Sequence, residues 1–127
     1  MKNAEEVIAT ALSDATRDIV LHHLASFQDN DLEAVLSDYT NESVLITQDA
    51  TYTGPEEIKV FFAALMIHFP KKTSDFELDK VVVSNELVYI AWHAHTPSLE
   101  VSLGTDTFIV REGKIIQQTF AGQLKFI

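Results

Sequence analysis

The sequence contains no cysteine, which excludes a disulfide framework, a thiolate zinc site and a cysteine nucleophile. It is also short of positive charge: 9 Lys and Arg stand against 19 Asp and Glu, a formal net charge of −10. So acidic a chain is a poor partner for a nucleic-acid backbone or an anionic membrane, and its largest basic cluster is the pair Lys71–Lys72. No apolar run approaches the roughly 18 residues of a membrane span. The start, MKNAEEVIAT, has acids where a signal peptide has its apolar stretch. No linker, internal repeat, glycine-rich phosphate loop, serine elbow or paired-carboxylate motif is present. These absences lead to the expectation of a cytoplasmic protein, a single domain over residues 1–127, with no cofactor and with neither nucleic acid nor membrane as partner.

What is present is an ordinary globular pattern. The 127 residues are 46% apolar, long enough to bury roughly two-thirds of the unfolded chain's surface. Residues 4–27 carry Ile8, Leu12, Ala15, Ile19, His23 and Phe27 at spacings of three and four, an amphipathic helix. Asn3 is placed to cap it with Glu6 three residues on, and Ser13 offers a second start, so the helix could bend there. Asp29–Asn30–Asp31 ends this helix and caps a short second one near residues 32–37. Ser43 to Gln48 reads as a strand, Asp49–Ala50 as a turn and Thr51–Tyr52 as a return strand. Gly54–Pro55–Glu56–Glu57 starts a third helix with proline at its first position and acids in its first turn. Its stripe is Ile58, Phe61, Phe62, Leu65 and Phe69.

The remainder is strand. Phe76, Leu78 and Val82 continue one face of the first long strand, and Val88, Ile90, Trp92 and Ala94 one face of the next. Residues 104–126, GTDTFIVREGKIIQQTFAGQLKF, read as two long strands joined at Arg111–Glu112–Gly113. Asp106 shares a face with Phe108 and Val110, and Gln118 with Ile116, Phe120, Leu124 and Phe126. A two-residue loop, Glu112–Gly113, pairs Phe108 with Gln117 and splits the apolar residues between both sides of the sheet. A three-residue loop ending in a left-handed Gly113 pairs Asp106 with Gln118 and makes one face coherent. The coherent face is the one expected, with an aspartate and a glutamine side by side in the core.

Helices first and four long antiparallel strands after them give an α+β architecture, the helices lying on one face of a curved sheet. The opposite face keeps Val81, Val83, Tyr89, Ile109 and Ile115, so a homodimer through the outer sheet face is expected.

The order of elements, with the stretches DNDLEAVLSDYTNESVLI, YTGPEEIKVFFAAL and GTDTFIVREGKIIQQTF, resembles the nuclear transport factor 2-like superfamily and within it the SnoaL-like domains. The resemblance runs from about Ile19 to Phe126. It implies a cone in which N-terminal helices pack inside a strongly curved, mostly antiparallel sheet, with a pocket between them. Members include ketosteroid isomerases, polyketide cyclases, dehydratases and epoxide hydrolases, and also pure binding or assembly domains. The isomerases' oxyanion-hole aspartate falls on Asp106, on the strand where SnoaL-like cyclases carry their acid/base aspartate. Their oxyanion tyrosine falls on His23. Their general base falls on Thr47, which cannot act as one, while Asp49 lies two residues on in the turn.

Asp106 is the first candidate catalytic residue, since a carboxylate on an apolar face is costly unless it is paired, protonated or used. The same position suits a structural aspartate satisfied by Gln118. His23, inside the helix stripe, is the second candidate, as a proton relay or as an ordinary core histidine; His22 lies off the stripe. Gln118, Trp92, Phe108, Phe120, Thr47, Tyr52 and Phe62 are candidate walls of a pocket for a small hydrophobic molecule. Isomerase- or cyclase-type proton transfer is one function expected of such a pocket, and a non-catalytic binding or assembly module the other. His93 and His95 share a strand face as metal ligands do, but no third ligand stands at diagnostic spacing, so no metal is expected.

Overall fold

Asn3 caps the first helix as its position suggested, its side chain accepting the backbone N–H of Glu6 at 2.8 Å. The helix, α1 (Ala4–Gln28), runs through Ser13 without a break. The structure is a computed structural model that describes residues 3–127, so the first two residues of the segment read for a signal peptide lie outside it. Burial of α1 begins only at Thr16; Ile8 and Leu12 are exposed, which corrects the first half of the expected stripe. Asn30 takes a left-handed φ of 57° just past the helix, and its side chain ties that end to Phe69 and Lys71. Asp31 then caps α2 (Leu32–Leu36) through the N–H of Ala34.

β1 (Tyr39–Thr47) and β2 (Thr51–Thr53) form the short hairpin, and α3 (Gly54–Met66) starts at Gly54–Pro55 as read. β3 (Asp75–Ser84), β4 (Leu87–His95), β5 (Leu99–Arg111) and β6 (Lys114–Phe126) follow. The sheet has six strands in the order β2-β1-β6-β5-β4-β3. Only β1 and β6 pair in parallel; the other neighbours are antiparallel. This is the expected α+β cone, a curved, unclosed sheet with the helices against its inner face.

Two β-bulges correct the face assignments. In β3 the register shifts between Leu78 and Lys80, leaving Asp79 as the extra residue. Phe76 and Leu78 face inward as expected, but beyond the bulge Val81 and Val83 pack on the core and Val82 faces out. At the β5–β6 tip the turn is the two-residue one, not the three-residue loop expected, for Arg111 pairs directly with Lys114. Glu112 and Gly113 have φ of 51° and 74°, the paired positive values that a tight hairpin twisting with its strands requires. A bulge at Ile116 follows, since Val110 pairs with Ile115 but Ile109 with Gln117. Ile115, which the tight turn pairs with the inward Val110 before the bulge, faces inward and is fully buried, the reverse of its expected place. The extra residue restores the coherent face: Phe108 lies opposite Gln118 and Asp106 opposite Phe120. Asp106 and Gln118 are diagonal neighbours, one step removed from the direct pair expected. Near the far end of β6, Leu124 and Phe126 are exposed and not core.

The core joins Val20 and Phe27 of α1, Ile58 and Phe62 of α3, and Leu45, Ile90, Trp92, Phe108 and Ile115 of the sheet. Gly104 is a fixed point within it. It pairs with Trp92, and the indole lies over the place where a side chain on residue 104 would stand. Gly104→Ala is therefore expected to destabilise the fold by about 1–3 kcal/mol through overpacking. Urea unfolding checks this, and an unchanged midpoint would show that the indole is not packed on the glycine.

Candidate functional site

The space left by Gly104 lets the Trp92 indole cross β5 toward the next inward residue, Asp106. Nε1 of Trp92 donates to Oδ1 of Asp106 at 2.8 Å. From the other side Nε2 of Gln118 donates to Oδ2 at 2.9 Å. Gln118 is held in turn, because the Tyr39 hydroxyl donates to its Oε1. One chain of hydrogen bonds thus links β1, β6, β5 and β4, and all four side chains are buried. Burial pushes the Asp106 carboxyl up to about 6, against the pull of the two N–H donors toward the ionised form. Tyr39 is pushed well above its ordinary value by burial, then by the nearby charges of Asp106 and Asp38.

His23 stands among aromatic rings, with Phe62, Phe108 and Tyr39 at centroid distances of 5.4, 5.6 and 5.8 Å. Burial lowers its pKa to about 4, with a smaller push from His22, so the ring is neutral at pH 7. Its Nδ1 is buried with no hydrogen-bond partner, a rare and costly state. His23, Asp106, Gln118 and Trp92 come together on the wall of one cavity between helices and sheet. Leu24, Phe27, Phe61, Phe62, Leu65 and Phe120 complete the lining. The free space is about 40 Å³, room for a water but well short of the roughly 300 Å³ of a small-molecule pocket. Phe120 fills the mouth, stacked on Trp92 at 6.0 Å and meeting Phe61 at 6.2 Å.

Of the expected wall residues, Gln118, Trp92, Phe62 and Phe120 line this cavity and Phe108, Thr47 and Tyr52 do not. Phe108 is fully buried behind His23. Thr47 is turned to its own hairpin, its hydroxyl accepting the N–H groups of Asp49 and Ala50. Tyr52 packs on Phe61 at the rim. Tyr39 was missed because the first strand was expected to start only at Ser43, whereas it starts at Tyr39, ahead of the polar run Thr40–Asn41–Glu42. Ser43 and Leu45 alternate inward, but the exposed Asn41 and a register shift before Val44 interrupt the pattern, so no simple alternation marks the buried Tyr39.

Two further histidines have carboxylate partners. Nδ1 of His22 lies 2.8 Å from Oδ2 of the buried Asp38, whose pKa burial raises. On the outer face His93 meets Asp79 at 2.7 Å through Nδ1 and Glu77 at 3.3 Å through Nε2. Its pKa is raised by the bond to Asp79. With a carboxylate at each ring nitrogen, His93 bridges two acids, an arrangement that favours the protonated ring. His95 does not join this group.

Residues 20–118 match the family described as SnoaL-like domain. No curated protein matches the chain. Among solved structures, a proposed ketosteroid isomerase from Kribbella flavida is similar, at 10% identity and a TM-score of 0.73, over 87% of this chain and 79% of that one. A proposed polyketide cyclase from Sinorhizobium meliloti is similar at 19% identity and a TM-score of 0.68, over 81% and 93%. A de novo designed protein with a curved β-sheet reaches a TM-score of 0.74 at 17% identity, over 87% and 86%. Such likeness carries the fold alone. No described helix is long and apolar enough to cross a membrane.

The two perturbed groups act on stability with opposite sign. Asp106 has a folded pKa above its unfolded value of about 3.9, so the native state holds the extra proton between pH 4 and 6 and stability falls as pH rises through that window. His23 has a folded pKa below its unfolded value of about 6.5, so its contribution is complete above that pH and is lost as pH falls toward 4. The slopes oppose each other, and Asp106→Asn removes one of them. Urea unfolding of wild type and variant across pH 4–7 is expected to show the wild type losing about 3 kcal/mol relative to the variant as pH rises. A difference constant with pH would place the carboxyl in contact with solvent.

Proposed function

The chain belongs to the SnoaL-like domain family, and from that premise we propose that the cone binds a small, mostly apolar molecule whose polar end meets Asp106, which accepts a proton from it. The observation that carries this is a carboxyl buried on a cavity wall beside an unpartnered imidazole, its pKa held near 6. A base in that range is largely ionised at pH 7 yet retains affinity for a proton, the compromise that general-base catalysis favours. The N–H groups of Trp92 and Gln118 favour the ionised form, which supports an acceptor role over that of a neutral donor to an oxyanion. His23, neutral at pH 7, relays or orients. The similarity to a proposed ketosteroid isomerase and a proposed polyketide cyclase suits an acid–base activity of this class. With only about 40 Å³ free, entry requires the half-buried rim of Phe61, Leu65 and Phe120 to swing outward. These side chains turn about single bonds at a surface, unlike the buried Phe62 and Phe108 behind them.

The small cavity favours a second reading, an assembly module with a filled cone. Val82, Leu87, Tyr89 and Leu103 leave apolar area exposed on the outer sheet face. Val82 lies opposite Tyr89 and Leu87 opposite Ile109, a contiguous patch on which a second copy can pack.

A thermal-shift screen of hydrophobic alcohols, ketones and acids, run on wild type and Asp106→Asn, separates the two. Compounds that raise the midpoint of the wild type and not of the variant are expected for the pocket. No shift with any compound, together with a dimeric mass by light scattering, is the outcome expected of the module.

A further inference from the structure

We infer that the polar group presented to Asp106 is a hydroxyl, so that the ligands of the cone are neutral alcohols, phenols or enols and not simple ketones or carboxylates. This rests on the pocket reading above and follows from the donors and acceptors in the chamber. A ketone bound for enolisation needs hydrogen-bond donors aimed at its oxygen. Three donors on this wall are engaged elsewhere, Trp92 Nε1–H and one Gln118 Nε2–H on Asp106 and the Tyr39 hydroxyl on Gln118, which leaves the second Gln118 amide hydrogen and, in one tautomer, the His23 ring N–H. Gln118 cannot turn its amide over to help, because Tyr39 needs its oxygen and Asp106 its nitrogen.

The chamber instead has acceptor capacity to spare. Each Asp106 oxygen accepts one N–H, and an ionised carboxylate has about four lone-pair sites, so about two remain. A ketone oxygen set against them is repelled, and so is a carboxylate, in a chain whose net charge is already −10. A hydroxyl both gives and takes. Its hydrogen reaches the Asp106 carboxylate, and its oxygen accepts from Nδ1 of His23 when the neutral ring carries its proton there. That single group satisfies the one buried side-chain nitrogen of the cavity wall without a partner. The free space of about 40 Å³ is of the size of a hydroxyl and the carbon that bears it, with the ligand's apolar body held between Phe61, Leu65 and Phe120 at the mouth.

The chain has one tryptophan, and its indole N–H touches Asp106, so one resolved signal in a proton–nitrogen correlation spectrum reports on the site. The test titrates the full-length protein at pH 7.5 with alcohol and ketone of matched shape in two sizes, propan-2-ol against acetone and cyclohexanol against cyclohexanone. In at least one pair the alcohol is expected to move the indole signal and to bind about tenfold or more tightly than its ketone, the worth of one hydrogen bond to a charged group. Equal binding, or tighter binding of the ketone, overturns the hydroxyl assignment and leaves the pocket standing. No movement with any of the four overturns the pocket itself and the assignment with it. Asp106→Asn, which replaces one acceptor by a donor, is expected to abolish the preference, and a preference that survives contradicts the role given to the carboxylate. The wild-type titrations stand alone if that variant does not fold.

Discussion

A carboxylate held out of water by two N–H donors is the constraint on which the rest of this structure turns. Moving Asp106 into an apolar interior is unfavourable unless each oxygen has a partner. Each partner here depends on a backbone irregularity. Trp92 reaches Oδ1 because residue 104 has no side chain in the way. Gln118 reaches Oδ2 because the extra residue at Ile116 brings it onto the same face. Without the bulge, the tight turn at Glu112–Gly113 would put Gln118 on the outer side of the sheet, and Asp106 would keep only the indole. The hydrogen bonds hold the carboxylate in place and burial keeps its affinity for protons high, and a group balanced between those two effects suits proton transfer.

The inner surface of the cone is polar in one patch and aromatic elsewhere. Tyr39, Gln118, Asp106 and Trp92 form a connected run across the sheet, while His23 stands apart among rings. The contrast matters because the run is internally satisfied and the histidine is not. A fully satisfied network fixes geometry and leaves little for a ligand beyond the remaining lone pairs of the carboxylate. An unpartnered imidazole is the reverse: it costs stability in the empty state and recovers it when something binds. For the ligand proposed above, the pair favours one orientation, with a hydrogen toward Asp106.

Most of the fold was legible in the sequence, because it is written in periodicity and punctuation. The helix stripe from Ile19 to Phe27, the Asn3 and Asp31 caps, the Gly54–Pro55 helix start and the alternation from Val88 to Ala94 all have direct chemical causes. The bulges were not legible. Asp79 and Ile116 are ordinary strand residues, and nothing in either side chain announces an extra position, yet each reverses the faces of the residues beyond it. Val81 and Val83 were misplaced for that reason alone, and Ile115 because the turn before it is one residue shorter than expected. Asp106 survived because no shift falls between it and Phe108 on its own strand, and because Gln118 was displaced by two positions and not by one. Tyr39 was lost behind three polar residues. Thr47 came from the resemblance and not from a periodicity, and its hydroxyl serves its own turn.

The account stands on the state of one carboxyl, which the lone tryptophan reports directly. Following the Trp92 indole N–H by NMR from pH 4 to 8 is the most direct measurement. The structure predicts a large shift with a midpoint near 6, absent in Asp106→Asn. An indole signal that stays flat, or one that titrates near the ordinary carboxylate value of about 4, would contradict the burial of Asp106 and the site built upon it.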